Sequence, residues 1–292
     1  MIDLHMHSTF SDGSQSPEAL ILEAKDLGLS AIALTDHDTI DGIAELMKYG
    51  EIHGIETVPG VEISVDVKMP NNGHIHILGL LIDPDAKELK ETLNYLVTQR
   101  NIRANKIIQK LTALDVDITM EELLEEAGEG AIGRPHVANI LVRKGVVSSI
   151  QEAFDVYLAK GKPAYMDKMK LDEKDALDMI NNAGGLAIMA HAHLMAYDTF
   201  EEAREKILEL KPLGLDGFEI YYSGMPAEYT EKLTALAEEH DFVVSGGSDY
   251  HGENKPGVGM GTGTGRLNVP DELLAGLKRR KEIKYNSKAV TI

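Results

Sequence analysis

Cysteine is absent from this 292-residue sequence. Disulfide staples and thiolate metal sites are excluded, and the reducing cytoplasm is the expected location. No apolar run approaches the roughly 18–20 residues that cross a bilayer, so no membrane association is expected. The opening Met1-Ile2-Asp3-Leu4-His5 lacks the basic and apolar regions of a secretory signal. Positive charge is scarce: 29 Lys and Arg stand against 48 Asp and Glu, a formal net charge of −19. Such a surface repels polyphosphate backbones at long range and argues against an extended nucleic-acid-binding face. A small anionic substrate remains compatible with it, because buried divalent cations would reverse the local potential. Internal repeats and low-complexity linkers are also absent.

What is present is enough for a sizeable core, with 43% hydrophobic residues. Short apolar runs predict strands at 2–4, 31–34, 57–59, 75–81, 186–189, 217–221 and 242–245. Amphipathic segments between them predict helices at 17–27, 39–49, 174–181, 200–210, 227–240 and 271–281. Ser16 followed by Pro17 reads as a helix start, and Gly28 as its end. Alternation of strand and helix implies parallel strands joined by crossovers. It stops between 84 and 162, where helices are expected at 86–114, 120–127, 136–144 and 149–159. The expectation is an α/β barrel domain formed by 1–85 and 164–292, interrupted by a helical insertion at 86–163. Glycines 257, 259, 261, 263 and 265 do not sit between a strand and a helix start, so they are read as a mobile turn.

Residues able to bind metal recur just after the apolar runs. His5 and His7 are spaced to share one face of an extended strand. Asp12, His37, Glu62, His76, His191, Asp249 and His251 follow. Residues after several different strands collect at one end of an α/β barrel, where such folds build active sites. Imidazole with carboxylate suits Zn, Mn or Fe. Six histidines and three carboxylates exceed the needs of one cation but suffice for two or three. His74 shares a strand face with His76, so spacing alone does not choose between them. Asp38 before Thr39 reads as a helix cap. Glu219, on the strand 217–221, reads as a support for a ligand histidine.

Taken in order, the segments Asp3-Leu4-His5-Met6-His7-Ser8, Ser11-Asp12-Gly13, Leu34-Thr35-Asp36-His37-Asp38, Gly60-Val61-Glu62-Ile63, Met189-Ala190-His191 and Ser248-Asp249-Tyr250-His251-Gly252 resemble the motifs of the polymerase and histidinol phosphatase (PHP) family. Ile132-Gly133-Arg134-Pro135-His136 and Gly161-Lys162-Pro163-Ala164-Tyr165 resemble its stand-alone phosphoesterase branch, which carries a helical insertion. The resemblance implies a distorted (β/α)7 barrel with a trinuclear site. His5, His7, Glu62 and Asp249 would hold the first metal, and Asp12, His37 and His251 the second. Glu62 would bridge to a third held by His76 and His191, with His76 chosen because His76-Ile77-Leu78-Gly79 resembles the family's H-x-L-G pattern. One departure is evident: His191-Ala192-His193 lacks the family's usual proline after the histidine, and the arginine often found nearby is missing.

The expected activity is metal-dependent hydrolysis of a small phosphorylated metabolite, by attack of a metal-bridging hydroxide on phosphorus. Nucleotides are the expected class: nucleoside 3′,5′-bisphosphates, cyclic nucleotides or 5′ ends of short oligonucleotides. Arg134 is the expected phosphate clamp. His136 is expected to contact the phosphate or protonate the leaving oxygen. Lys162 and His193 are further substrate-binding candidates. The alternatives are a histidinol-phosphate phosphatase and a non-catalytic metal-sensing module; nothing in the sequence sets an oligomeric state.

Overall fold

The computed structural model describes residues 1–128 and 132–289. Seven strands appear: β1 Ile2–Asp3, β2 Ala31–Leu34, β3 Glu56–Ser64, β4 His76–Leu80, β5 Leu186–Met189, β6 Gly217–Tyr222 and β7 Val243–Gly247. They pair in sequence order in one sheet. Backbone bonds from Leu4 N to Gly246 O (3.2 Å) and from Asp249 N to His5 O (2.9 Å) then carry the β7 end onto the β1 end. The sheet thus curls into a nearly closed barrel. Closure depends on Gly247, where a Cβ would sit 2.4 Å from the His5 nitrogen.

Ten α-helices accompany the strands among the described residues: α1 Pro17–Asp26, α2 Ile43–His53, α3 Lys87–Thr112, α4 Met120–Ala127, α5 Arg134–Arg143, α6 Ile150–Ala153, α7 Glu173–Asn182, α8 Phe200–Leu210, α9 Ala227–His240 and α10 Glu272–Ala289. The expected cap of α1 is present, with Ser16 Oγ accepting from Ala19 N at 3.2 Å, a contact worth about 1 kcal/mol. None of these helices is long and apolar enough to cross a membrane.

The all-parallel expectation needs correction. β1–β2–β3 and β5–β6–β7 are parallel, but β4 runs antiparallel to both neighbours. The connection 65–75 is shorter than the roughly dozen residues a parallel crossover requires. Because β4 is reversed, its first residue, His76, lies at the same barrel end as the last residues of β3 and β5. β3 also continues through Glu62 to Ser64, paired with β4 from Leu80 to His76. Pro59-Gly60 reads locally as a strand end, and only that pairing carries the strand onward. α2 begins at Ile43 rather than at 39, so Asp38 is not its cap. The stretch expected to be helical at 149–159 is α6 followed by a π-helical turn at Phe154–Leu158.

Register sorts the side chains into two layers. Glu62, Leu78 and Ile188 are directly paired across β3, β4 and β5, and so share one face. Leu78 and Ile188 join Ile2, Leu4, Ala33, Val58 and Leu80 in an interior cluster that α10 completes with Leu274 and Leu277. The alternate residues Ile63, Ile77 and Met189 meet Leu93, Leu177, Ile180 and Ile207 of the surrounding helices. A separate cluster, from Ala104 to Ala164, holds α4, α5 and α6 against the second half of α3. The first half of α3 packs on the barrel's own core through Leu89, Leu93 and Leu96.

Candidate metal centre

Two buried carboxylates position the loops that carry the candidate ligands. Asp3 accepts from Ser248 N (2.9 Å) and Ser248 Oγ (2.5 Å). It also accepts from Gly261 N at 2.7 Å, so the glycine run is a tethered turn whose amide is spent on Asp3. Asp36 accepts from Ser8 N at 2.7 Å and from Ser11 Oγ at 2.5 Å, which places the chain between His7 and Asp12.

Glu62, on β3, stands at the middle. Its Oε2 lies 3.5, 3.2 and 3.0 Å from His5 Nε2, His7 Nε2 and His37 Nδ1. Its Oε1 lies 2.8 Å from His76 Nδ1 and 3.2 Å from His191 Nε2. Asp249 Oδ1 is 3.4 and 3.3 Å from His5 and His7 Nε2, while Asp12 is 3.3 Å from His251 Nε2. All nine residues expected as ligands therefore gather at one barrel end. The aiming of His191 and Asp249 uses left-handed backbone, with φ of 31° and 57°, a conformation costing of order 1–3 kcal/mol for non-glycine residues.

The donor set fits cations. His5 Nε2, His7 Nε2, His37 Nδ1 and Glu62 Oε2 are buried without a hydrogen-bond partner. They converge in two sets of metal-ligand geometry, His5–His7–Glu62–Asp249 and His7–Asp12–His37–His251. Buried polar atoms normally have partners, and a divalent ion would serve several at once. Protons serve them unevenly. Burial opposes a charge on His7, yet Asp249 and Glu62 outweigh it and raise its pKa to about 10. At His37 burial prevails over the pull of Glu62 and Asp12, and the pKa falls to about 3.

Glu219 is fully buried on β6. Its Oε1 lies 3.1 Å from His5 Nδ1 and its Oε2 accepts from His191 N at 2.8 Å, so one carboxylate orients two of the gathered histidines. Glu219→Gln is expected to weaken metal binding about 10- to 100-fold. Metal titration of the folded variant checks this, and an unchanged affinity would remove the orienting role. Tyr222 OH similarly donates to Asp249 Oδ2 at 2.7 Å.

A cleft of about 1370 Å³ opens onto this centre. Asp12, His37, His74 and His76 line its base, and Arg134 and His136 line its wall. The Arg134 guanidinium donates to Leu158 O at 3.2 Å and lies 5.6 and 5.5 Å from the Phe154 and Tyr165 rings. His136 Nδ1 accepts from Gly133 N at 3.1 Å, which leaves the proton of the neutral imidazole on Nε2. Burial lowers the His136 pKa and keeps that neutral form. Lys162 is exposed and does not line the cleft, and Lys160 lines it instead. His193 also lies outside the lining, with its ring 5.4 Å from that of Tyr222.

Sequence reasoning missed most of the cleft's cations: Lys68, Arg100, Arg103, Lys160, Lys168 and Lys170. The i, i+3 pair Arg100 and Arg103, and the alternating Lys168 and Lys170, were the available signals. Arg100 and Lys168 both pair with Asp38, Lys168 at 2.6 Å. Asp38 therefore anchors cleft cations, in place of the capping role expected of it.

The model of the PHP domain matches residues 3–211. A 5′-3′ exoribonuclease of Haemophilus influenzae is 36% identical over 250 residues, which cover 85% of this chain and 89% of that one. A 3′,5′-nucleoside bisphosphate phosphatase of Chromobacterium violaceum is 32% identical, over 89% of this chain and 90% of that one. A crystal structure assigned to a metal-dependent phosphoesterase of Bifidobacterium adolescentis superposes with a TM-score of 0.82 at 29% identity, covering 96% of each chain. This chain is a metal-dependent phosphoric ester hydrolase, and it belongs to the PHP domain family.

Proposed function

We propose that the enzyme hydrolyses nucleotides that carry more than one phosphate: nucleoside 3′,5′-bisphosphates and the 5′ ends of short oligoribonucleotides. The observation that supports this reading is the cleft. Seven cationic side chains (Lys68, Arg100, Arg103, Arg134, Lys160, Lys168 and Lys170) face three carboxylates there, in a protein of net charge −19. The cleft's volume exceeds the roughly 300–1,000 Å³ of an ordinary small-ligand site. A single phosphate at the metal centre would leave most of these cations unused. The names of the two relatives are consistent with the same class. In this reading, residues 1–85 and 164–292 form the barrel and 86–163 an inserted helical unit that supplies one wall.

His5, His7, Glu62 and Asp249 would hold one divalent ion, Asp12, His37 and His251 a second, and Glu62 with His76 and His191 a third. Bound there, Mn, Zn or Fe would supply Lewis acidity and an activated water nucleophile. Arg134 binds a phosphate in a fork that Leu158 O, Phe154 and Tyr165 hold in place. His136 keeps its proton at Nε2 and donates a hydrogen bond from it to a phosphate oxygen.

Phosphate release should therefore be metal-dependent, with nucleoside 3′,5′-bisphosphates and 5′-phosphorylated di- and trinucleotides turned over far faster than histidinol phosphate. Metal content is measured on the same sample. Preference for histidinol phosphate would overturn the proposal. The pH dependence of capture offers a second check. Burial, reinforced by Arg100 and opposed by Asp38, lowers the Lys168 pKa to about 8. A lowered lysine pKa means charge present below that pH and lost above it. KM for these polyanions is expected to rise between about pH 7 and pH 9, and to stay level in Lys168→Arg, whose guanidinium remains charged. A level KM in the unmodified enzyme would contradict this.

A further inference from the structure

A second, smaller cavity of about 350 Å³ meets the cationic cleft at Ser11 and His136, which line both. Four segments converge on it. The loop after β1 brings Thr9 and Ser11, the end of α4 brings Glu125 and Glu126, α5 brings Asn139, and the turn Gly252–Asn254 brings Asn254. Asn139 follows His136 by three residues, so the two project from one face of α5.

The pocket abuts the metal centre at Asp12. Ser11 and Gly13, which flank Asp12 in the chain, both line it, and Asn254 Nδ2 donates to Asp12 O at 2.9 Å. His136 stands between the two cavities. Burial lowers its pKa, while the charges of Asp12 and Glu126 act in the opposite direction, so the imidazole is within electrostatic reach of both.

In chemistry the pocket is the reverse of the cleft. Seven lysines and arginines line the cleft, and among the described residues none lines the pocket. Glu125 is exposed, and Glu126 is held by Arg143 Nη1. The Asn139 carboxamide has no hydrogen-bond partner among the described residues. Carboxylates accept hydrogen bonds, and carboxamides both accept and donate them. This lining repels a phosphate and suits a neutral group with O–H and N–H donors, such as the ribose and base of a nucleoside. The volume stands at the low end of the roughly 300–1,000 Å³ of a small-ligand site, which is room for one nucleoside and no more.

A nucleoside 3′,5′-bisphosphate has nothing to place there. Its reacting phosphate carries a single nucleoside, whose other phosphate belongs among the cations of the cleft. An oligoribonucleotide 5′ end differs at one point: the phosphate at the metal centre is a diester, and its other ester oxygen carries a second nucleoside. We propose that the pocket is the subsite for this second nucleoside, and that the enzyme is a diesterase that removes nucleoside 5′-monophosphates from oligonucleotide 5′ ends. In that step the oxygen of water bonds to phosphorus, and the bond from phosphorus to the 3′ oxygen of the first nucleoside breaks. One proton of the water ends on that 3′ oxygen. The phosphate stays on the second nucleoside as a new 5′ phosphate. The inference rests on the nucleotide reading above and refines it.

The test compares two diesters that share one scissile bond and one charge. They are 5′-phosphorylated diadenylate and the analogue in which methyl replaces its second adenosine. Wild-type kcat/KM is expected to favour the dinucleotide about 10-fold or more, the effect of one or two hydrogen bonds and the burial of a base. A trinucleotide should gain little further, because the pocket holds one nucleoside. Asn139→Leu, which removes the amide and fills the space, and Glu125→Ala should each lower the dinucleotide-to-methyl ratio about 5-fold or more. Circular dichroism and metal content verify each variant, and the wild-type comparison stands without them. A wild-type ratio near one overturns the inference. So does a ratio that neither variant changes, or a kcat/KM that keeps climbing through the tetranucleotide, since an open groove would then be reading the chain. Hydrolysis of the nucleoside 3′,5′-bisphosphate but of neither diester overturns it and leaves the hydrolase reading intact. No turnover of any of the three by the metal-loaded chain defeats the nucleotide reading itself.

Discussion

Glu62→Gln is expected to strip the centre of metal and to lower kcat about 10³-fold or more. The reason is the position of one carboxylate among five histidines, at 2.8 to 3.5 Å from each. A buried carboxylate is costly unless paired, and here burial works to raise the pKa of Glu62. The histidines, led by His37 and His76, more than reverse that and hold it well below the usual carboxylate range. The negative charge is therefore available to cations at every working pH. A glutamine is of similar size but brings no charge, and its amide NH₂ would face an imidazole nitrogen or a cation. Stabilisation by a metal ion is worth several kcal/mol, and each 1.36 kcal/mol is a factor of ten in rate. Metal content and kcat are measured together on the folded variant. A chain that keeps both would show that the carboxylate is not what holds the centre.

Arg134→Ala is expected to reduce kcat/KM about 10- to 100-fold, the effect of losing a charge-assisted contact of roughly 1.5–3 kcal/mol. Metal content should not change, since Arg134 is held by Leu158 O, Phe154 and Tyr165 and is not among the residues grouped in metal-ligand geometry. Arg134→Lys should recover little. A guanidinium can donate to Leu158 O, lie near two rings and still present further N–H groups, whereas an ammonium is a compact point charge. The experiment compares kcat/KM for a nucleoside 3′,5′-bisphosphate and for its monophosphate. An equal loss for both would place Arg134 at the reacting phosphate, and a larger loss for the bisphosphate at the second one. No loss for either would remove it from the substrate site.

The cleft reconciles two facts that pull apart at the level of composition. A net charge of −19 predicts repulsion of polyphosphates at long range. Yet a concave wall of arginines and lysines creates a local field of the opposite sign, and a low-dielectric surround focuses it. In the function proposed above, the acidic exterior and the basic cleft together would favour short anions that fit inside over long duplexes that must lie across the surface. That selection comes from where the charges sit, which composition does not record.

Much of this protein is legible in one dimension. Short apolar runs locate all seven strands, and the helical patterns of α4, α8 and α9 match expectation at both ends, because those elements are set by local sequence and by a neighbouring apolar layer. Histidine and carboxylate identity and their recurrence near strand ends mark eight of the nine candidate ligands, because residue type is the part of metal chemistry that a sequence states directly, while the choice of His76 over His74 came from the family's H-x-L-G pattern. Two features were decided only by the tertiary structure. The antiparallel course of β4 depends on which edges pair, and it is this reversal that brings His76 beside His191 and Glu62. Arg100 and Lys168 meet at Asp38 from separate segments, so neither marks the cleft by itself. In each case the deciding quantity is a distance between residues far apart in the chain, and hydrogen-bond pairing and chain reversal set that distance while local pattern does not.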